Sequence, residues 1–168
     1  MTTIDEILDG INQTTRSVFG GVPISRDDLV ADVRRQLAGL WKPIARQFIF
    51  AGDGLYACPT EAELKRILAA SLQDRPAYLA SVMDCDDFAW RLKVFANEQA
   101  RAAGKAASYA LGVVWRTDST RARQGHAYNW ALLDDEKGGH ALVMIEPQTG
   151  DYRPLDRTVD RNLDLVCC

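Results

Sequence analysis

No stretch of the chain is apolar for long enough to cross a bilayer. Its first residues, Met1-Thr2-Thr3-Ile4-Asp5-Glu6, carry acid where a secretory signal carries base. Those two absences make the cytoplasm the expected site of synthesis, with other export routes left open, and no membrane partner is expected. There is no excess of positive charge either. The 20 Lys and Arg face 23 Asp and Glu, for a net charge of -3. That balance argues against a broad nucleic-acid-binding surface. The four cysteines show neither a disulfide framework nor zinc-finger spacing. Cys58 precedes a proline and reads as a small packing residue, while the adjacent Cys167 and Cys168 read as a frayed tail. Repeats and low-complexity linkers are missing as well. What remains is an ordinary globular composition, 47% hydrophobic over 168 residues, enough for one domain with a proper core.

Helix signals come first along the chain. Thr3-Ile4-Asp5-Glu6 is a capping box opening an amphipathic stretch to about Val18, stopped by Gly20-Gly21. Ser25-Arg26-Asp27-Asp28 starts a second helix, with Leu29, Val33, Leu37 and Leu40 at core spacing. Residues 46–50 suit a short strand. Thr60-Glu61-Ala62-Glu63 caps a third helix whose buried face is Leu64, Ile67, Leu68 and Leu72. A fourth helix is expected from about Asp86 to Ala103, ended by Gly104. After it the pattern turns to strands: Tyr109 to Arg116, His126 to Leu133 and Ala141 to Glu146, with a turn at Asp134–Gly139. The reading is an α+β domain, helical over about 1–104 and antiparallel sheet over about 105–168.

Three motifs carry chemistry. Asp84-Cys85-Asp86-Asp87-Phe88-Ala89 sets a thiol where a helix begins. Gly125-His126-Ala127-Tyr128-Asn129 and Ile145-Glu146-Pro147-Gln148 follow. A turn centred near Glu136 places His126 opposite Glu146, with β-carbons about 4.5–5.5 Å apart, close enough for the carboxylate to accept the imidazole N–H. A one-residue slip would put them on opposite faces. Asn129, three residues along the strand, faces away from His126 and is the second choice as its orienting partner. His140, in the turn, is expected to be exposed. Cysteine, histidine and carboxylate in this order suit a scheme in which Cys85 attacks an amide, His126 moves the proton and Glu146 orients the imidazole. The helix N-terminus and an imidazolium favour the thiolate. Asp84, Asp86 and Asp87 oppose it unless they point into solvent or a hard cation such as calcium neutralises them. Plainer readings stand beside these: a buried cysteine at a helix start, a packed or surface histidine, and a glutamate that only ends a strand before Pro147.

Together the three motifs resemble the papain-like C-terminal domain of the Marasmius oreades agglutinin family of fungal chimerolectins, over roughly Tyr78 to Gly150 and more weakly over Thr60 to Leu72. Stand-alone modules of bacterial or phage type are similar. The resemblance implies a papain-like cysteine proteinase fold, N-terminal helices packed on a small antiparallel sheet, and a cysteine peptidase acting on a peptide or protein substrate. Cys85 would be its nucleophile, His126 its base and Glu146 its orienting acid. Calcium activation is also implied, with Asp86 and Asp87 as metal ligands. The chain departs from that family in two ways. It has no room or aromatic repeat for the sugar-binding β-trefoil, so glycan binding is not implied. It also has no glutamine between Tyr78 and Asp84, and Gln73 lies twelve residues before the cysteine, so only the Cys85 N–H is assigned as an oxyanion donor.

Three other readings use the same residues. An amine in place of water gives a transglutaminase-like acyl transferase. Cys85, His126 and Glu146 are acceptable zinc ligands, though without the short spacing of a zinc motif. The last is a catalytically silent binding module on the same scaffold.

Overall fold

Strand β6 (Gly125–Asp134) is buried at every position from Ala127 to Asp134, so the sheet around it needs a covering layer on each face. The computed structural model describes residues 23–41, 49–73, 75–80, 82–117, 125–135 and 137–168. The helix expected over Thr3–Val18 and most of the polar loop before Gly125 lie outside the described residues. The other strands are β1 (Pro23–Ser25), β2 (Ile49–Phe50), β3 (Leu55–Ala57), β4 (Ser108–Tyr109), β5 (Leu111–Thr117), β7 (His140–Glu146), β8 (Asp151–Pro154) and β9 (Leu163–Cys167). The helices are α1 (Arg26–Gln36), α2 (Glu61–Ser71) and α3 (Cys85–Ala102). Six strands form the main sheet in the order β2-β9-β5-β6-β7-β8, and β1-β3-β4 form a smaller one.

Alternation along the strands sorts the core into two layers. Tyr128, Trp130, Leu132, Val114, Met144 and Val166 point to one face and meet Leu29, Val33 and Leu37 from α1 and the turn after it. Ala131, Leu133, Leu111, Val143 and Ile145 point to the other and meet Leu64, Ile67 and Leu68 of α2 and Leu92, Ala96 and Ala100 of α3. Each large aliphatic side chain taken fully from water here contributes about 1.5–3 kcal/mol.

The helices begin and end where their caps allow. Ser25 Oγ accepts from the Asp28 N–H at 3.2 Å. Thr60 and Glu63 exchange both bonds of a capping box. Helix α3 ends in a Schellman motif. Gly104, at φ 67°, donates to the Arg101 carbonyl, and Lys105 donates to Ala100, both at 3.0 Å.

Two expectations are corrected by this architecture. Helices packed on a small antiparallel sheet, the papain-like arrangement, are not what the chain builds. Nine strands outnumber three helices among the described residues, and the helices cover both faces of a six-stranded sheet. Two strands, β1 and β3, fall inside the stretch expected to be helical, while β2 lies in the 46–50 stretch expected as a strand. The sheets are mixed, since β2 pairs β9 and β3 pairs β4 in parallel. The physical reason is the length of the buried runs in β5, β6 and β7, which a helical layer on one side leaves half exposed. The second correction concerns the end of the chain. Cys167 belongs to β9, and the Cys168 N–H donates to the Phe50 carbonyl at 2.7 Å, so the pair is held rather than frayed. Cys58 is fully buried, as a packing residue should be, and burial pushes its thiol up to about 12. No described helix is long and apolar enough to cross a membrane.

Gly112 on β5 lies opposite Trp130. A Cβ there would collide with the Cys167 carbonyl oxygen and stand 2.7 Å from the indole. Its absence lets the Trp130 Nε1–H donate to that carbonyl at 3.1 Å. Gly112→Ala is therefore expected to overpack the joint between β5, β6 and β9 and to lower stability by about 1–3 kcal/mol. Urea unfolding reads this directly, and an unchanged midpoint would contradict the assignment.

Candidate functional site

The site grows from the first residues of β6. His126 lies opposite Arg116 of β5, at the end of the ladder. Its Nε2 stands 2.9 Å from Glu146 Oε2 at the end of β7. The register of β6 on β7 differs from the expected one. Trp130 pairs Met144 and Asn129 pairs Ile145, a displacement of two residues. A shift of two preserves the face, so the imidazole and the carboxylate still meet, on a diagonal. Burial works against the Glu146 charge. The His126 hydrogen bond and the Gln148 N–H on Oε1 at 3.2 Å outweigh it and hold the carboxyl below its ordinary value.

A stack of side chains steadies the imidazole. The Tyr128 ring, two residues along the same face, lies 5.5 Å from it and tilted by 20°. The Tyr128 hydroxyl donates to Asp160 Oδ1 at 3.3 Å. Burial and the neighbouring Asp160 charge raise the phenol above its usual range. Asp160 is fully buried. It also takes a two-pronged bond from Arg153 at 2.6 and 2.7 Å and the Asp156 N–H at 2.8 Å. A buried carboxylate so fully bonded is a fixed post. Arg116 lies over the other side of this group, its guanidinium 6.0 Å from the Tyr128 ring centre. The result is a cleft of about 250 Å³ lined by Arg116, His126, Tyr128, Glu146, Tyr152 and Arg153 among others.

Cys85 reaches the start of β6 from α3. It starts α3 and packs, partly buried, against Ala89, Val113, Ala127 and Trp115. Ala127 follows His126 and so points to the opposite face of β6. The Cys85 sulfur accepts the Ala127 backbone N–H at 3.4 Å. Among the described residues no hydrogen bond joins the thiol to the imidazole, and the sulfur does not line the cleft. Asn129 does face away from His126. It is buried, and its Nδ2 ties the α3 carbonyl of Ala89 at 2.9 Å to that of Gly112 at 3.0 Å. His140 is only partly exposed, with Nδ1 3.1 Å from Asp32.

The acidic residues beside the thiol divide their work. Asp87 Oδ2 caps α3 by accepting the Asp84 N–H at 3.1 Å. Atoms of Asp84, Cys85 and Asp86 lie within 4.8 Å of one another. The Asp84 hydrogen bond, together with burial, raises the Asp86 carboxyl above its ordinary value. Sequence reasoning missed Arg116, Tyr128, Arg153 and Asp160. Tyr128 was within reach, since alternation alone puts it on the face of His126. The other three depend on strand pairings and a loop that no local pattern announces.

Residues 56–152 match the family described as agglutinin C-terminal. Two solved structures share the fold. One is PSL1a in complex with E64, at TM-score 0.68 and 20% identity, covering 87% of this chain and 50% of that one. The other is the Polyporus squamosus lectin bound to the human-type influenza-binding epitope Neu5Acα2-6Galβ1-4GlcNAc, at TM-score 0.64 and 24% identity, covering 87% and 49%. The chain thus spans about half the length of these proteins, and at such identities the likeness concerns the fold. No curated protein matches it. These findings correct the expected papain-like cysteine peptidase. The family is named for an agglutinin, the second of the two structures is described as a lectin, and neither match names a peptidase.

The crowding at Asp86 has a sign that can be checked. A carboxyl whose folded pKa is raised contributes stability that is full below its unfolded value, about 3.9, and is lost as pH rises through the folded one. In chelator, Asp86→Asn should therefore raise the melting temperature at pH 7 and bring no gain below about pH 4. A gain of equal size at both pH values would show that crowding of charge is not the cause.

Proposed function

The chain belongs to the agglutinin C-terminal family, and from that premise we propose that it is a catalytically silent binding module whose ligand, a saccharide, seats in the cleft beside His126 and Glu146. What supports this reading is the family match and the fold shared with a lectin, together with a cleft lined by His126 and Glu146. The cleft suits a sugar in kind. It offers the Tyr152 ring for the apolar face of a pyranose, and charged planar groups for its hydroxyls. A lectin sharing the fold was solved with a sialylated trisaccharide; half of that protein's length has no counterpart here. In this reading His126 and Glu146 contact ligand, and the Cys85 thiol is a packing group that also satisfies the Ala127 N–H.

Nuclear magnetic resonance titration with Neu5Acα2-6Galβ1-4GlcNAc tests the site. The amides of Ala127, Tyr128 and Gln148 should shift. His126→Ala should weaken binding about tenfold, the worth of one hydrogen bond to a charged group. Cys85→Ser should bind within about twofold of the parent. Incubation with E64, the compound held by PSL1a, should leave the protein's mass unchanged. A stoichiometric mass increase that disappears in Cys85→Ser would overturn the silent reading, and no shift at saturating trisaccharide would overturn the saccharide.

Calcium belongs to the same proposal. The donors that suit it are the Asp84 and Asp86 carboxylates. Calcium takes oxygen rather than a soft thiol, and Asp87 is committed to its cap. Bound there, the ion would supply positive charge that removes the Asp84–Asp86 repulsion at the start of α3. Added calcium should raise the melting temperature, by about 2.7 kcal/mol of stability at a hundredfold excess over Kd. EGTA should reverse the gain and Asp86→Asn should abolish it; equal gains with magnesium and in Asp86→Asn would point to ionic strength.

A further inference from the structure

Two guanidinium groups line the cleft, and their circumstances differ. The charge of Arg153 is met by the buried Asp160, which holds it by two short bonds. Arg116 has no carboxylate partner among the described residues. Its Nη1 donates to the Val159 carbonyl at 2.7 Å, and its Nε is buried without a hydrogen-bond partner. The guanidinium charge is therefore unmet by any described carboxylate, and a guanidinium pairs well with a carboxylate oxygen brought into the cleft. The carboxylates that face the cleft are already in use. Glu146 accepts from His126 and Gln148, and Asp151 accepts from the Thr149 hydroxyl at 2.7 Å. Both belong to the β7–β8 end, whereas Arg116 is on β5, with β6 between.

We infer that Arg116 is the anion subsite of this cleft and that the preferred ligand presents a carboxylate to it. The inference rests on the cleft being the binding site. It adds the ligand's charge and the residue that selects it. The carboxylate pairs with Arg116 through Nη2–H while the rest of the ligand lies along Tyr152 and His126. An acidic sugar and a non-sugar acid share this chemistry.

Titrations with matched pairs test it without any substitution. Neu5Acα2-6Galβ1-4GlcNAc is compared with Galβ1-4GlcNAc, and hippurate with its neutral amide hippuramide. The expected result is that each acid binds about tenfold tighter than its neutral partner, the worth of a charge-assisted pair. Arg116→Gln should erase that preference, and Arg116→Lys should restore part of it. The Arg116 Nε–H resonance should move with the acids alone. If hippurate shows this dependence and no saccharide binds, the subsite stands and the saccharide reading falls. If both saccharides bind equally and Arg116→Gln changes neither, the saccharide reading stands and the subsite is overturned. Binding by none of the four compounds overturns both. Wild-type titrations alone decide the point if Arg116→Gln loses its fold.

Discussion

Burial of β6 on both faces is the constraint from which the rest of the structure follows. A ten-residue strand with eight consecutive buried positions has to sit inside a sheet and between layers. Strand β5 and strand β7 give it neighbours, α1 covers one face, and α2 and α3 cover the other. Asn129 is the polar expression of the same constraint, a buried amide that joins a carbonyl of α3 to one of β5 across the layer boundary. Gly112 is its steric expression, a missing side chain that lets the Trp130 indole reach β9.

The candidate site exploits the place where this burial gives out. At the start of β6 the ladder to β7 has not yet begun, so His126 and Ala127 are free to serve other partners. His126 turns to Glu146 and the cleft. The Ala127 N–H turns to the Cys85 thiol. One break in strand pairing therefore feeds two neighbourhoods that share a backbone and differ in chemistry. The cleft is polar, partly open and backed by the Tyr128–Asp160–Arg153 post. The thiol's surroundings are apolar apart from the acidic residues that begin α3.

Much of the local structure was legible. The caps at Ser25 and Thr60, the start of α3 beside Cys85 and its end at Gly104 each rest on interactions within about four residues, and sequence spacing displays such interactions. The His126–Glu146 pair was legible for a related reason, because a hairpin preserves faces under an even displacement. Strand β2 was legible as part of residues 46–50. Strand β9 was not, because its place depends on β2 and β5 on either side of it. The pairing of Arg116 with the cleft and the closing of Asp160 on Tyr128 are equally non-local.

The positions of Cys85, His126 and Glu146 show what order in the chain supplies and what it does not. The residue types and their order belong to the sequence, as do the family likeness and the local start of each element. Whether side chains far apart in the chain share a face is decided by register and layer packing. Here tertiary structure brought Glu146 to His126 in the cleft and the Cys85 sulfur to the backbone N–H of the next residue, Ala127, because layer packing seats the first residue of α3 at the start of β6.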